Sequence, residues 1–599
     1  METQTNDVFA YIKAEEASFR TTRVPLTDSK DWNMYEHVQR CTSVANAWFF
    51  QGSNDINSGR PYTDIVTPII NVAFRTEGFD VKDIVPYVND SQKYYKSFLV
   101  KKFHPKWARN NEIDTLIDKA VEMSVIYDLV LFKNVNKLEV VPLQSIAFCD
   151  QTDVMAGPIC IKHQYSVSDL LDFKGKWDDD NIDLAILSAK NAKPVTNATD
   201  KEVKTPGKYV EVYELHGQLP ESWVKDDGDP NKYTNQLHII TYYVGSDGNK
   251  NGLTLFRGKD KKLSEIFDAL KIDQVRSYGR ACGRSLVETL FEPQVWTNYS
   301  SIKIKNMLDS ALTLFQTDSD EIAGQKLTDL KANTILKHEQ GRPITQVAGQ
   351  LINLPAFTNH QIKQENDARV LGSASDAQLG TNPVSGTPFA LQSLVVQQGQ
   401  GIHEYRQGKI ATFFSDRLYK NWILKLLVAE MNKGNEWLDE LSLEELQYIS
   451  DAVSTKEANQ EAIRLVIKMG EDVSQGRKPQ DITQEDLVAY RDMVKEQWLK
   501  GGNKRFLKIV KDELKDLPMD VMINIKQKQK DMTKNVENLT NIVRAVLQNP
   551  QAFSQIPGLG KAFNEILENS GFSPVDFNAI TTPSKQLTPP VPQPAAAAQ

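Results

Sequence analysis

The spacing of hydrophobic residues changes several times along the chain, and each change predicts a different kind of element. Apolar positions recur at helical spacing in PYTDIVTPIINVAF, which begins at Pro61. Residues 127–148, YDLVLFKNVNKLEVVPLQSIAF, predict strands joined by a turn around Val135. Further runs rich in β-branched and aromatic residues predict strands at 208–217, 236–245 and 253–258. The region from Pro61 to about residue 285 is therefore predicted to be mixed α/β.

The pattern then returns to helical spacing, interrupted by a short β-like stretch. A helix is predicted over residues 286–311, and a polar helix is predicted over residues 357–375. Between them lie two β-like runs, ANTILKH and PITQVAG, separated by a turn at 339–342. Beyond residue 437 helical patterns predominate, with one strand predicted within 518–527. The whole pattern predicts an α+β fold that is predominantly helical.

The longest predicted helix runs from Pro388 to near Met431 and would be roughly 65 Å long. Thr387 and Pro388 suit a helix start, because a hydroxyl can accept from free amides and proline is pre-organised for the first helical position. Three glycines follow, each costing about 1 kcal/mol in a helix relative to alanine. They are Gly399, Gly401 and Gly408. We interpret them as positions that permit a kink or a close backbone approach.

The chain has 599 residues, of which 40% are apolar and 25% charged. This length and composition are typical of an ordinary globular, multidomain protein. Its net charge of −8 argues against tight DNA binding. The cysteines are scattered, which predicts neither a disulfide framework nor a zinc site and fits a reducing compartment. They are Cys41, Cys149, Cys160 and Cys282. We expect no signal peptide and no membrane span, because the N-terminal segment is acidic and no run approaches about 20 apolar residues.

Motifs for catalysis or cofactor binding are weak. The glycine-containing stretches at 279–285 and 557–563 lack the spacing of a phosphate-binding loop. The acidic clusters at 178–180 and 226–230 lack the glutamate that a calcium-binding EF-hand places at its twelfth position. Since the eight histidines are also isolated in sequence, we predict no enzyme, no cofactor and no metal site. Carboxylate sites assembled from distant segments stay open.

The order of these elements resembles that of the portal proteins of tailed double-stranded DNA bacteriophages, possible groups being crAss-like or related podoviruses. Four stretches carry the resemblance, which covers about residues 60 to 575. They are YDLVLFKNVNKLEVVPLQSIAFCDQTD, GRACGRSLVETLFEPQVWTNYSSIKIKNMLD, LGTNPVSGTPFALQ before the long helix, and LTNIVRAVLQNP with LGKAFNEILENSGFSP. The order of elements is more specific than any one of these motifs.

The resemblance implies a ring, a dodecamer in this family, at one capsid vertex. Its implied domains are an N-terminal arm (1–60), an α/β wing (61–285), a first stem helix (286–311), a β-containing clip (312–356), a second stem helix (357–375), a tunnel loop (376–387), a long kinked wing helix (388–436), a helical crown (437–580) and a disordered Pro/Ala-rich tail (581–599). Double-stranded DNA would pass through the ring without sequence specificity. The implied partners are the terminase large subunit, a tail adaptor and the major capsid protein, with no membrane. The implied location is the virion, and the host cytoplasm during assembly.

Candidate functional residues follow from this resemblance. Uncharged tunnel-loop side chains would touch DNA transiently: Gln378, Asn382, Ser385 and Thr387. Four cationic residues could form local basic rings: Lys303, Lys305, Lys331 and Arg342. For Lys303 and Lys305 the alternative is a solvated helix face. The clip strands carry Ile335 and Ile344, which we expect to pair across subunits because a lone hairpin is marginal in water. Replacing Gly399 and Gly401 by alanine is expected to stiffen the long helix and impair ring assembly.

Two alternatives stay open. The first is another structural virion protein, such as an adaptor or a minor capsid component. The second is a packaging-associated enzyme, such as a nuclease or an ATPase, although an ATPase would need the phosphate-binding loop that the sequence lacks. The acidic balance favours the channel, because a bore rich in phosphate contacts would hold the DNA that it must pass.

Overall fold

The computed structural model describes residues 2–48, 61–87, 94–135, 137–190, 195–196, 202–203, 209–225, 227–244, 249–274, 276–310, 315–317, 335–337, 354–374, 378–379, 401–433 and 520–523, together with isolated positions between 449 and 496 and at 544. The chain forms two compact units. Unit 1 comprises Met1–Gly78 and Thr115–Ile410, and unit 2 comprises Phe79–Asp114 and Ala411–Gln599.

The fold is a mixed α+β fold with 57% helix and antiparallel sheets, so the predicted class is confirmed. The α-helices are α1 (Glu2–Thr21), α2 (Met34–Ala45), α3 (Val66–Glu77), α4 (Tyr94–Asn110), α5 (Ile113–Tyr127), α6 (Val167–Asp172), α7 (Asp179–Lys190), α8 (Leu263–Ile266), α9 (Leu286–Ser310), α10 (Leu354–Leu371), α11 (Gly401–Phe413) and α12 (Leu424–Lys433). The strands are β1 (Val24–Thr27), β2 (Lys30–Trp32), β3 (Ile84–Tyr87), β4 (Val130–Asn134), β5 (Leu138–Val141), β6 (Ile146–Phe148), β7 (Ile159–Tyr165), β8 (Val195–Thr196), β9 (Glu202–Val203), β10 (Val210–Pro220), β11 (Tyr233–Val244), β12 (Lys250–Lys259), β13 (Phe267–Leu270), β14 (Phe315–Thr317), β15 (Ile335–Lys337) and β16 (Asp520–Ile523). Among the described helices, none is both long and apolar enough to cross a membrane.

The centre of unit 1 is a five-stranded antiparallel sheet with the order β12-β11-β10-β7-β6. Its strands form where β-branched and aromatic residues predominate, because such side chains pack well on a pleated surface. Helices α6 and α7 cover part of one face through a buried apolar cluster, which includes Leu170, Ile182, Val212 and Leu255. The strands that sequence analysis predicted at 208–217, 236–245 and 253–258 are therefore β10, β11 and β12.

Helix α1 packs on the same sheet. A Cβ atom added to Gly252 of β12 would lie 2.5 Å from the Cβ of Phe9, so glycine permits the close approach of the helix. Phe9 also contacts Tyr213 of β10 edge-on, at 6.5 Å between ring centroids, and Tyr11 contacts Trp223 at 5.2 Å. The residues assigned to an N-terminal arm thus contribute to the core of unit 1.

A buried charge cluster joins this sheet to a second antiparallel sheet with the order β13-β4-β5. The carboxylate of Glu214 on β10 lies 2.7 Å from Lys133 Nζ of β4, 2.7 Å from His163 Nε2 and 2.8 Å from His216 Nε2. His216 Nδ1 lies 2.6 Å from Asp260. Burial opposes ionisation of Glu214, but the two histidines and Lys133 outweigh it and hold its pKa well below its ordinary value. Burial likewise opposes the charge on His216, yet the two carboxylates raise its pKa.

Unit 2 brings together segments that lie far apart in sequence. Strand β3 pairs antiparallel with β16, from Ile84 opposite Ile523 to Tyr87 opposite Asp520. The strand predicted within 518–527 is therefore present as β16. This pairing places residues 79–114 with the C-terminal part of the chain, whereas sequence analysis assigned them to the wing.

A π-helical segment, Phe414–Ile423, follows α11 and contributes to the core of unit 2. The amide of Leu424 donates to the carbonyl of Tyr419, five residues earlier, which is the π-helical spacing. His104 Nε2 of α4 lies 3.0 Å from the Tyr419 hydroxyl, and Trp107 Nε1 donates to Glu430 of α12 at 2.7 Å. The helical geometry therefore changes in this buried segment, after Gly401 and Gly408.

Candidate assembly surface

Helices α9 and α10, both in unit 1, pack against each other. A stripe of buried polar side chains on α9 binds it to the segment that precedes α3. Gln294 accepts from the amide of Ile65 at 3.0 Å and donates to the carbonyl of Thr63 at 2.6 Å. Asn298 Oδ1 accepts from the amide of Thr63 at 3.0 Å, and the hydroxyls of Thr63 and Ser301 lie 3.0 Å apart. These bonds fix α9 to the extended segment before α3, and they satisfy backbone groups that burial would otherwise leave unpaired.

An aromatic contact connects α9 with α10. The ring of Trp296 on α9 meets His360 on α10 at 6.0 Å and Tyr299 at 5.8 Å between centroids. The hydroxyl of Ser300 lies 3.0 Å from His360 Nδ1. Trp296 and Tyr299 nevertheless stay 44% and 47% exposed, and Ile362 of α10 is 50% exposed. The helix pair therefore presents large apolar and aromatic side chains to its surroundings.

The predicted basic residues lie partly on this helix pair. Lys303 of α9 places its ammonium group 5.3 Å from the ring centroid of Tyr299, a cation–π contact. Lys305 is a partly buried residue of the same helix. Lys331 and Arg342 lie outside the described residues. Whether any of these cations forms a ring depends on assembly, so that interpretation stays a prediction.

Helix α11 has one buried and one exposed face. His403, Arg406 and Ile410 are buried, whereas Tyr405 is 60% exposed and Ile402 is 57% exposed. This division follows the 3.6-residue period of an amphipathic helix, although two of the buried positions carry charge-bearing side chains.

Two of the predicted kink glycines lie in α11, and the packing of the described residues does not require glycine at either. A Cβ atom added to Gly401 or Gly408 would meet no atom of the described part of the chain within 4 Å. Neither residue has the positive φ that favours glycine, and the α-helix runs through Gly408. The third, Gly399, lies outside the described residues. Packing among the described residues therefore does not account for glycine at Gly401 or Gly408.

The buried face of α11 is held by an ionic network, which we call the Arg406 anchor: Arg406, Glu77, Asp128, Ser124 and His403. Arg406 Nε donates to both carboxylate oxygens of Glu77 at 3.0 Å, and Nη2 donates to the carbonyl and hydroxyl of Ser124 at 2.8 and 3.1 Å. Nη1 lies 3.4 Å from Asp128 Oδ1. The side chains of Glu77 and Asp128 are 0% exposed, so the guanidinium balances two carboxylates that water cannot reach.

His403 extends this anchor to the end of α10. Its Nδ1 lies 3.0 Å from Glu77 Oε1, and its Nε2 lies 3.1 Å from the carbonyl oxygen of Gly372. A Cβ at Gly372 would lie 2.3 Å from Cγ2 of Ile69, so glycine permits the chain to pass there. Residues on both sides of segment 375–400 are thus bound to the same buried network.

The backbone around Asp128 is tightly constrained. Asp128 has a φ of 52°, a left-handed conformation that is uncommon for a residue other than glycine. Its carboxylate accepts from the amide of Asp273 at 2.9 Å, and a Cβ at Gly283 would collide with it at 1.7 Å. Burial raises the pKa of Asp128 to about 6, against the opposing effects of Arg406 and that amide.

Sequence analysis missed the Arg406 anchor. The usable signal was the run His403, Arg406, Gln407 and Ile410, whose spacing puts charge-bearing residues on the same helix face as a buried isoleucine. The carboxylates could not have been matched to it, because Glu77 is 329 residues from Arg406 in sequence.

The other predicted site residues are placed only in part. Gln378 lies in a turn and is half-buried. Ile335 lies in β15, which pairs with β14 in parallel, opposite Phe315. Strand β14 was not predicted, and the expected second strand around Ile344 lies outside the described residues, as do Asn382, Ser385 and Thr387.

Comparison with known proteins adds no identity. No model of a protein family matches the chain, and no curated protein matches it.

The four cysteines are buried and carry free thiols. Within the described residues, no group of three or more histidine, cysteine, aspartate or glutamate side chains could hold a metal ion.

Proposed function

We propose that this protein is the portal protein of a tailed double-stranded DNA bacteriophage: a ring of identical chains that forms the DNA channel at one capsid vertex. The observation that carries the proposal is the paired helices α9 and α10. They flank a segment containing short strands, follow an α/β region, and precede a further helix that begins at Gly401. This order supports the proposal, because the resemblance rests on a stem helix, a clip and a second stem helix in that sequence. In this proposal α9 and α10 are the stem helices, and segment 312–356 is the clip.

Exposed apolar side chains support self-association. Eight large ones lie on α9, α10 and α11 of a single chain: Trp296, Tyr299, Leu308, Ile362, Val370, Leu371, Ile402 and Tyr405. Large exposed apolar surfaces are characteristic of interaction sites. A head-to-tail contact between copies can cover such surfaces and generate a closed ring when its rotation closes.

The glycines of α11 fit the same proposal. Gly401, Tyr405, Gly408 and Thr412 are spaced three or four residues apart, so they lie along one stripe of the helix. No atom of the described residues lies within 4 Å of a Cβ added at Gly401 or Gly408, so a helix of a neighbouring copy could approach the backbone there. A kink at these two positions stays a prediction.

The first experiment measures assembly. A chain of 67.6 kDa that forms a dodecamer should elute as a particle of roughly 0.8 MDa in size-exclusion chromatography with light scattering. Negative-stain microscopy should show rings with a central hole. Trp296→Glu and Tyr405→Glu should each yield smaller species, whereas Leu184→Glu, an equally exposed leucine on α7, should assemble normally. A wild-type monomer under all conditions would refute the proposal.

The second experiment separates a channel from a DNA-binding ring. A chain with a net charge of −8 should bind duplex DNA weakly, with a Kd above about 1 μM at physiological salt by fluorescence anisotropy. A nanomolar Kd would contradict the proposed role as a DNA conduit.

Immunogold labelling of virus particles that contain the chain should mark one vertex per particle, and labels on many vertices would favour a different virion protein.

A further inference from the structure

Unit 1 contains a cavity of about 410 Å³ that the proposed channel function does not use. It lies where α1, α2, β6 and β7 meet, and its size falls in the range of small-molecule sites. The lining is mixed, somewhat more polar than apolar. It consists of Glu16, Arg20, Tyr35, Gln39, Gln144, Ser145, Ile146, Ala147, Lys162 and Gln164.

The charges around this cavity do not cancel. Lys13, Arg20 and Lys162 surround the two carboxylates of Glu16 and Glu211, which leaves one positive charge in the cluster. Both carboxylates are already engaged. Glu16 Oε1 accepts from Arg20 at 2.7 Å and Oε2 accepts from Lys13 at 2.9 Å, while Lys162 lies 2.6 Å from Glu211 Oε2.

The cations, by contrast, keep unused donors. The side chain of Arg20 is 48% exposed, and it contributes one of its five N–H groups to Glu16. Its guanidinium also lies 5.2 Å from the ring of Tyr35, which fixes its orientation. Lys162 is 28% exposed and has three donors, of which Glu211 needs one. The cavity wall therefore keeps cationic donors for a ligand, while its carboxylates are already paired.

Neutral donors and an apolar patch complete the wall. The side-chain amides of Gln39 and Gln164 make no hydrogen bond to other described residues, so they can serve a ligand. Ile146 and Ala147 are buried and apolar, and with the Tyr35 ring they can contact a carbon skeleton. A lone phosphate would leave most of the volume empty.

We propose that this cavity binds a small organic oxyanion, a carboxylate or a phosphate monoester of roughly mononucleotide size. Arg20 binds the oxyanion, because its planar fork matches carboxylate and phosphate geometry, and Lys162 adds a second positive charge. The amides of Gln39 and Gln164 hydrogen-bond polar groups of the ligand body. This site does not depend on the portal assignment.

The test is isothermal titration calorimetry of the full chain with AMP, glutarate and inorganic phosphate. We expect AMP or glutarate to bind saturably below about 5 mM, and to bind at least tenfold more tightly than inorganic phosphate. Affinity should fall as salt is raised, because exposed charges are screened. Arg20→Gln and Lys162→Gln should each weaken binding at least tenfold.

The matched control is Arg23→Gln, which removes a neighbouring exposed arginine that pairs with Glu36 and does not line the cavity. It should leave affinity within twofold of wild type. Far-ultraviolet circular dichroism checks that each variant folds. If Arg20→Gln does not fold, the affinity measured for Lys162→Gln tests the proposal. No saturable binding of either organic anion, equal affinity for inorganic phosphate, or unchanged affinity in the folded variants would each overturn the proposal.

Discussion

Replacing Arg406 by methionine tests the anchor most directly. The substitution keeps the length of the side chain and removes the guanidinium that contacts Glu77, Asp128 and Ser124. Two carboxylates with no exposed surface would then lose their main counter-charge. Breaking a buried ion pair by removing one partner costs about 3–5 kcal/mol. His403 still contacts Glu77, so the lower end of this range is the expected loss.

The assay must report on unit 1, since a chain with two units has no single free energy of unfolding. Native-state hydrogen exchange followed by mass spectrometry provides this, because amide exchange measures local opening. Peptides from α3 and α5 and the first part of α11 should exchange roughly 100-fold faster in Arg406→Met at pH 7.5, and roughly 4,000-fold marks the upper end of the range. Lys409→Met, an exposed lysine one turn along α11, should change exchange by less than about threefold.

A triple variant separates charge from packing. Combining Arg406→Met with Glu77→Gln and Asp128→Asn removes all three charges while it approximately keeps their volumes. Neutral replacement of a complete buried ionic group is often tolerated, so protection should recover to within about tenfold of wild type. The reasoning is refuted if Arg406→Met exchanges less than tenfold faster than wild type, or if the triple variant is no better protected than the single one.

Three further outcomes are expected. Gly372→Ala should destabilise unit 1 by about 1–3 kcal/mol, measured by hydrogen exchange, because the new methyl group would overlap Ile69. Exchange protection equal to that of wild type would show that the site can relax and would contradict this expectation. Gly401→Ala combined with Gly408→Ala should stabilise α11 by up to about 2 kcal/mol in the same assay, yet reduce ring formation in light scattering, and intact rings would argue against close helix approach between copies. The pKa of Asp128 is raised to about 6, so its ionised form costs stability above that pH and the cost disappears as the pH falls towards 4. The stability of wild type relative to Asp128→Asn should therefore increase by about 2 kcal/mol between pH 7 and pH 4, and a flat or opposite trend would contradict the assigned cause.

Local patterns were sufficient for many elements. The strands β10, β11 and β12 lie where β-branched and aromatic runs predicted them, and α9 occupies residues Leu286–Ser310 of the predicted 286–311. These predictions succeed because side-chain periodicity and turn residues act over a few positions along the chain. The α+β class follows from the same information.

Pairing partners required the folded chain. β3 and β16 are more than 430 residues apart, and β14 is a three-residue strand whose partner β15 begins 20 residues later. Short strands carry little periodic signal, and the choice of partner depends on contacts distant in sequence. The same limit explains why residues 79–114 were assigned to the wing and not to unit 2.

The burial of charge was also decided by tertiary structure. In the sequence, Arg406 and Lys409 are two basic residues of one predicted helix, and helical spacing puts Arg406 on the face of Ile410 without indicating a counter-charge for it. In the folded chain, Arg406 lies between two buried carboxylates, while Lys409 stays exposed. The physical reason is that a buried charge needs a partner supplied from elsewhere, whereas an exposed charge needs only water. Helical spacing could indicate which residues share a face of α11, but only the packing of α3 and α5 against that face made it ionic.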